Sequence, residues 1–220
     1  MRYQLRDLPA VLRTPIGRTQ LLVGQMHGAW PVLRRLAALY RRVVLARKPV
    51  VVVVGSAGKT TTTRAVTVAL GEPLRPGIGL NDMAFIPFVM MGFPPWVKRA
   101  VVEIGIDAKG QMETLARLMR PTICVVTTVG TDHFRSFGTL ENTRNEKAKM
   151  VRALPSHGVA VLNADDENVL WMAGETSARV VTYGLKGTRT CSGNILSRTG
   201  LMARACEFVW KVDRIRSIAL

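Results

Sequence analysis

"VVVVVGSAGKTTTTRAV", residues 50–66, decides the architecture of this 220-residue chain. Five consecutive valines fit a strand covered on both faces, because a strand that meets water on neither side has no need of polar alternation. The run breaks at Gly55-Ser56-Ala57-Gly58, where the glycines let the backbone turn until its N–H groups converge. Lys59 and four threonines then open a helix. Strand, glycine turn and helix N-terminus in that order make a phosphate cradle, since amides and helix dipole both attract an anion. Lys59 reaches the outer phosphate oxygens, and the Thr60 hydroxyl is placed to ligate Mg²⁺. The general form of this loop has four residues between its glycines, whereas two stand here.

Strands and helices alternate from there to the C-terminal side. The spacing predicts a helix over 61–70 closed by Gly71, a strand over 100–104, and a helix over 111–120 stopped by Pro121. A strand over 122–129, a charged helix over 141–154, and strands over 159–162 and 179–183 follow. Strands separated by helices imply βαβ units, so the expected fold is α/β: a mainly parallel sheet flanked by helices, of P-loop type. "LMARACEFVW" (201–210) reads as a strand or hairpin.

On the N-terminal side, Pro9, Pro15 and Gly17 mark residues 1–18 as an irregular arm. From Pro31 onward, Val32, Leu33, Leu36, Ala37, Leu39, Tyr40, Val43 and Val44 recur at helical spacing, with Pro31 suited to the first helical position. The organisation expected is a basic arm and amphipathic helix over 1–48, then a domain built on the phosphate cradle over 49–220.

The chain carries a net charge of +16, and residues 1–48 hold ten Arg and Lys against Asp7 alone. That imbalance fits an anionic partner, whether a membrane surface, a phosphorylated substrate or nucleic acid; it also fits arginine-rich helix faces that are merely solvated. The arm has few aromatic residues for stacking and no nucleic-acid motif, which argues against nucleic acid. A basic amphipathic helix either lies on an anionic membrane or packs its apolar stripe on a sheet, packing being the commoner use. Hydrophobic content of 48% excludes a disordered chain. Cys124, Cys191 and Cys206 show neither CxxC spacing nor a disulfide framework. No apolar run reaches membrane-span length and no signal-peptide core is evident, so a cytoplasmic setting is expected.

The shortened GxxGKT resembles the loop of the Mur ligase family, usually GTxGKT, and further motifs follow in family order over about residues 50–184. "VVEIGID" (101–107) is similar to the family's strand ending in Glu-x-Gly. "TTVGTDHFRSFGTLEN" (127–142) is similar to TNxxxDH followed by FGSLEN, and "NEKAKM" (145–150) to EKAEI. "GVAVLNADDENV" (158–169) and "VVTYG" (180–184) resemble the segments after it. The resemblance implies ATP and Mg²⁺ as cofactors and ATP-driven joining of a carboxylate to an amine through an acyl phosphate. It implies Gly55, Ser56, Ala57, Gly58, Lys59, Thr60, Thr61 and Asn163 as nucleotide-binding residues. Thr60, Glu103, His133 and Lys147 would hold metal, Lys147 after carbamylation, and Lys59, His133 and Lys147 would be catalytic.

Within the family, "PTICVVTTVG", "FGTLEN" and "LNADDEN" are most similar to the branch that adds D-alanyl-D-alanine to a UDP-muramoyl tripeptide in peptidoglycan precursor synthesis. The short N-terminus is similar to ligases of poly-glutamate type, which sit at membranes. Ala57 and Thr128 depart from the family, which favours Asn at the latter position. "GLNDMAFIP" (79–87) matches the NNEIGxP substrate loop loosely, at Asn81. Complete ligases add a UDP-sugar domain before this region and an amine-binding domain after it. The expectation is therefore an ATP-binding core, with a nucleotide-binding module that does not catalyse as the alternative.

Overall fold

The computed structural model describes residues 14–75, 78–131 and 134–184. Its elements are α1 (Pro15–Val43), β1 (Val50–Val54), α2 (Lys59–Ala69), α3 (Ile86–Met91), β2 (Ala100–Glu103), α4 (Gln111–Met119) and β3 (Ile123–Val126). They continue with α5 (Phe134–Phe137), α6 (Leu140–Arg152), β4 (Val159–Asn163), α7 (Glu167–Leu170), a 3₁₀ turn (Trp171–Glu175) and β5 (Arg179–Tyr183). The stretch 201–210, Cys191 and Cys206 lie outside the described residues.

All five described strands are parallel, in the order β2-β1-β3-β4-β5. The valine run explains itself in this sheet. Val50, Val52 and Val54 face a layer built from α1, α3, α4 and α6 and share it with Ile86, Met90, Leu115 and Met150. Val51 and Val53 face Val66 of α2 and Leu70 at its C-terminal cap on the other side. Each fully buried valine contributes about 1.5–3 kcal/mol, and both faces are dry, so every position rewards an apolar residue.

Chain direction sets which helix goes where. β1 leads through α2, and then through the short α3, to β2 on one side, and β2 leads through α4 back across β1 to β3 on the other. Right-handed crossovers running in opposite directions place their helices on opposite faces, as α2 and α4 are. The order therefore reverses beside the C-terminal end of β1, a topological switch point where the edges of two loops stand apart.

Two expectations need correcting at the N-terminus. The helix does not begin at Pro31 but runs from Pro15, and the end of the supposed irregular arm is its first turns. Pro31 sits inside it. The missing N–H is tolerated because Gly28, Ala29 and Pro31 are all exposed, so the carbonyl left without a partner can turn to water. α1 is tied to the body by Arg41, whose Nε donates to the Met119 carbonyl at 2.9 Å and Nη2 to that of Arg120 at 3.1 Å. Nη1 donates to the Leu45 carbonyl. Arg41 thus satisfies the last carbonyls of α4, where Arg120 adopts a left-handed φ of 46°. Burial, with Arg120 adding repulsion, lowers its pKa. Strand β3 is also shorter than expected, ending at Val126 rather than 129, because residues 127–130 leave the sheet to brace another loop. Helix α3 had no expected counterpart: its apolar IPFVMM has no polar face to reveal a period.

Candidate functional site

The switch point is occupied by residues 55–60. Gly55 takes φ 150° and Gly58 φ 79°, both on the side of φ that glycine alone adopts freely. Gly55 is also pressed on a neighbour: a Cβ there would lie 1.9 Å from Thr127 Oγ1 and 3.0 Å from the Thr128 nitrogen. The brace is made of hydrogen bonds. The Ser56 amide donates to the Thr128 carbonyl at 2.8 Å, and the Ala57 amide to Thr128 Oγ1 at 3.0 Å. Thr127 Oγ1 donates to the Ala57 carbonyl at 2.6 Å, and the Gly130 amide to Ser56 Oγ at 2.7 Å. Thr128, standing where the resembled family favours Asn, thereby holds Ala57 through the backbone, which makes the side chain at 57 immaterial to the loop's shape.

Helix α2 starts directly from this loop and has no side-chain cap. Its first intrahelical bond runs from the Thr62 amide to the Gly58 carbonyl. The amides of Lys59, Thr60 and Thr61 consequently have no protein acceptor among the described residues. Three aligned donors at the positive end of a dipole are suited to receive an anion. Lys59 Nζ folds back to the Ser56 carbonyl at 3.0 Å, within reach of the same point. Thr61 is exposed and Thr60 half-buried.

Beside the loop lies a cavity of about 170 Å³ lined by Gly55, Lys59, Asn81, Asp107, Gln111 and Lys147, among others. Lys147, on the helix that the sequence marks as charged, is nevertheless 2% exposed, and its Nζ donates to Ser56 Oγ at 3.1 Å. So α6 delivers an amine to the loop across 91 residues of sequence.

Glu103, at the end of β2, is buried, and its Oε1 accepts a 2.5 Å bond from Asn81 Nδ2. Asn81 in turn lines the cavity with Lys59 and Lys147. Gly105 presses against Asn81 and donates to its carbonyl at 2.9 Å, so the loosely matched "GLND" segment is firmly seated at the site. The other carboxylate oxygen, Oε2, is buried and has no hydrogen-bond partner among the described residues. An ionised oxygen left so would be costly, and a bound cation would satisfy it. Glu103 and the Thr60 hydroxyl are the kind of oxygen donors that a divalent ion of Mg²⁺ type takes, since it favours few protein oxygens and several waters. No cluster of three or more His, Cys, Asp or Glu able to hold a metal occurs among the described residues. His133 lies outside them.

Asn163 stands across the switch point, its Nδ2 donating to the Thr127 carbonyl at 2.8 Å and its Oδ1 accepting from the Asp165 amide at 3.0 Å. It thus supports the bracing segment, and one hydrogen and one lone pair of its amide remain for a ligand. Asp166 caps α7 through the Asn168 and Val169 amides and holds the Val129 amide at 2.8 Å. Tyr183 donates to the Val126 carbonyl at 3.2 Å; burial, then the charges of Asp165 and Asp166, push its phenol pKa upward.

The model of the Mur ligase middle domain matches residues 53–214. A UDP-N-acetylmuramoyl-tripeptide–D-alanyl-D-alanine ligase of Mycobacterium tuberculosis is 31% identical over 82% of this chain, which spans 38% of that relative's length. Among solved structures, MurF from Acinetobacter baumannii aligns at TM-score 0.64 and 25% identity over 72% of this chain and 35% of that one. MurF ligase from Thermotoga maritima in complex with ADP aligns at TM-score 0.66 over 86% of this chain and 50% of that one; at 19% identity it speaks for the fold alone.

Proposed function

The chain belongs to the Mur ligase family through that family's middle domain, and we propose that it is the ATP-binding core of an ATP-dependent carboxylate–amine ligase. The observation that carries this reading is buried Lys147, held 3.1 Å from Ser56 of the phosphate loop in the cavity that Lys59 lines. The loop amides and Lys59 already supply phosphate contacts, so a further lysine carried from α6 to the same cavity favours a site built for group transfer as well as binding.

A carboxylate is a poor electrophile, so such a ligase first transfers the γ-phosphoryl group of ATP to it, and an amine then displaces phosphate. Phosphoryl transfer depends chiefly on positioning and on neutralising charge. The amides of Lys59, Thr60 and Thr61 and the Lys59 ammonium hold the β and γ oxygens in this reading. Asn163 offers its remaining amide hydrogen and lone pair to the base. Mg²⁺, held by Thr60 and Glu103 with His133, would supply further charge neutralisation at the transferred group. Carbamylation of Lys147 Nζ replaces an ammonium by a carboxylate-like oxygen donor, which is the form able to face a cation and orient the acceptor. From the name of the relatives, we assign a UDP-muramoyl peptide as the acceptor and D-alanyl-D-alanine as the amine, in peptidoglycan precursor synthesis in the cytoplasm.

Calorimetry with Mg-ATP tests the cradle. Micromolar binding by the 220-residue chain, lost in Lys59→Ala, is expected; unaltered binding by the variant would show that the loop is not the phosphate site. Amine-dependent ADP release then separates a ligase from a module that only binds nucleotide.

A further inference from the structure

Helix α1 carries two apolar stripes, and the body of the protein uses one. Ala37 is buried, and Trp30, Ala38, Tyr40 and Val44 pack against the core. Val32, Leu36, Leu39 and Val43 do not: they are 60%, 50%, 59% and 67% exposed. Spacings of four, three and four residues put these side chains in a single row along the helix. Arg35 and Arg42 lie within a turn of the row and are exposed, as are Arg34 and Arg47 nearby. The segment to which the row belongs has ten basic residues and one acidic residue over positions 1–48.

We propose that this row seats the protein on an anionic lipid bilayer. The helix would lie in the headgroup plane, with the four aliphatic side chains at the acyl boundary and Arg35 and Arg42 against lipid phosphates. Charge decides the occupant. A second copy would bring two arginine-flanked rows face to face, which repels. Nucleic acid would satisfy the arginines but offers four aliphatic side chains nothing to enter. An anionic bilayer supplies both the apolar layer and the phosphates. Trp96, 80% exposed, stands on the loop that follows Phe93, whose carbonyl accepts the Tyr40 hydroxyl of this same helix. Exposed indoles are frequent membrane-interface anchors. The association is peripheral, because no described helix is long and apolar enough to cross a membrane.

The test is co-sedimentation of the 220-residue chain with vesicles of phosphatidylcholine alone and of phosphatidylcholine with phosphatidylglycerol. Binding is expected to the second only, falling as salt rises. The double variant Leu36→Gln/Leu39→Gln changes exposed positions, so it should fold, with an unchanged thermal melt and Mg-ATP affinity, yet lose roughly tenfold or more of its vesicle partitioning. Arg35→Gln/Arg42→Gln should weaken anionic binding and leave the melt alone. Absence of binding by the unaltered chain, or binding that the leucine variant retains, would overturn the proposal. So would a change of oligomeric mass in the leucine variant, which would make the row a contact between copies, or stronger retention by RNA than by anionic vesicles. None of these outcomes depends on whether the cradle binds ATP.

Discussion

Replacing Gly55 by alanine tests how the glycine loop 55–60 is held. The new Cβ would fall 1.9 Å from Thr127 Oγ1, far inside contact distance, and the residue would have to keep φ near 150°. Backbone strain of that kind costs about 1–3 kcal/mol. Thr127 must also swing its hydroxyl away from the Ala57 carbonyl, 2.6 Å distant, forfeiting a hydrogen bond of about 1 kcal/mol. Together the loss is roughly 2–4 kcal/mol, a large share of a domain's usual ~5–15 kcal/mol. Urea denaturation of Gly55→Ala, Thr127→Ala and the double variant makes the argument quantitative. Thr127→Ala alone removes the hydrogen bond and costs about 1 kcal/mol. In the double variant the obstructing hydroxyl is already gone, so its loss should match that of Gly55→Ala alone rather than the sum, a coupling of about 1 kcal/mol. Relief stays partial because the Thr127 Cβ itself lies 3.2 Å from the added atom. Strictly additive losses, or a Gly55→Ala cost under about 1 kcal/mol, would refute the close approach as the reason for glycine.

Two further outcomes follow from side chains that brace the site. Asp166→Ala removes the cap of α7 and strands the Val129 amide, so it should lower stability by roughly 2–4 kcal/mol, with Asp166→Asn costing less; equal losses from the two would deny the carboxylate its double role. Tyr183 has its phenol pKa raised above the ordinary value of 10, so its contribution to stability is full below pH about 10 and declines as pH rises beyond it. Urea midpoints followed into alkali should therefore fall more steeply for the unaltered chain than for Tyr183→Phe, and parallel slopes would contradict the burial of that hydroxyl.

The core of the fold was legible because it rests on local rules. Five valines in a row cannot alternate, so 50–54 had to be covered on both sides, and a glycine turn with Lys59 after it had to start a helix. Ends were less legible. Strand 122–129 looked continuous because Thr127 and Val129 have strand propensity, yet residues 127–130 are drawn off by Ser56 and Ala57, 70 or more residues earlier. Pro31 looked like a start because a proline suits that place, whereas exposure of its turn let the helix run through it.

Sequence by itself determined the cradle: strand, glycines, lysine and uncapped helix follow from residue types a few positions apart, where sterics and the helix dipole act directly. Tertiary structure alone decided what stands around it. Strand order placed the reversal beside β1 and brought Thr127 and Thr128 onto the loop, Asn163 across from it and the buried Lys147 from α6 to the cavity beside it. It also decided which of two apolar stripes on α1 the core would cover. Those outcomes depend on which distant surfaces meet, and no local spacing encodes that choice.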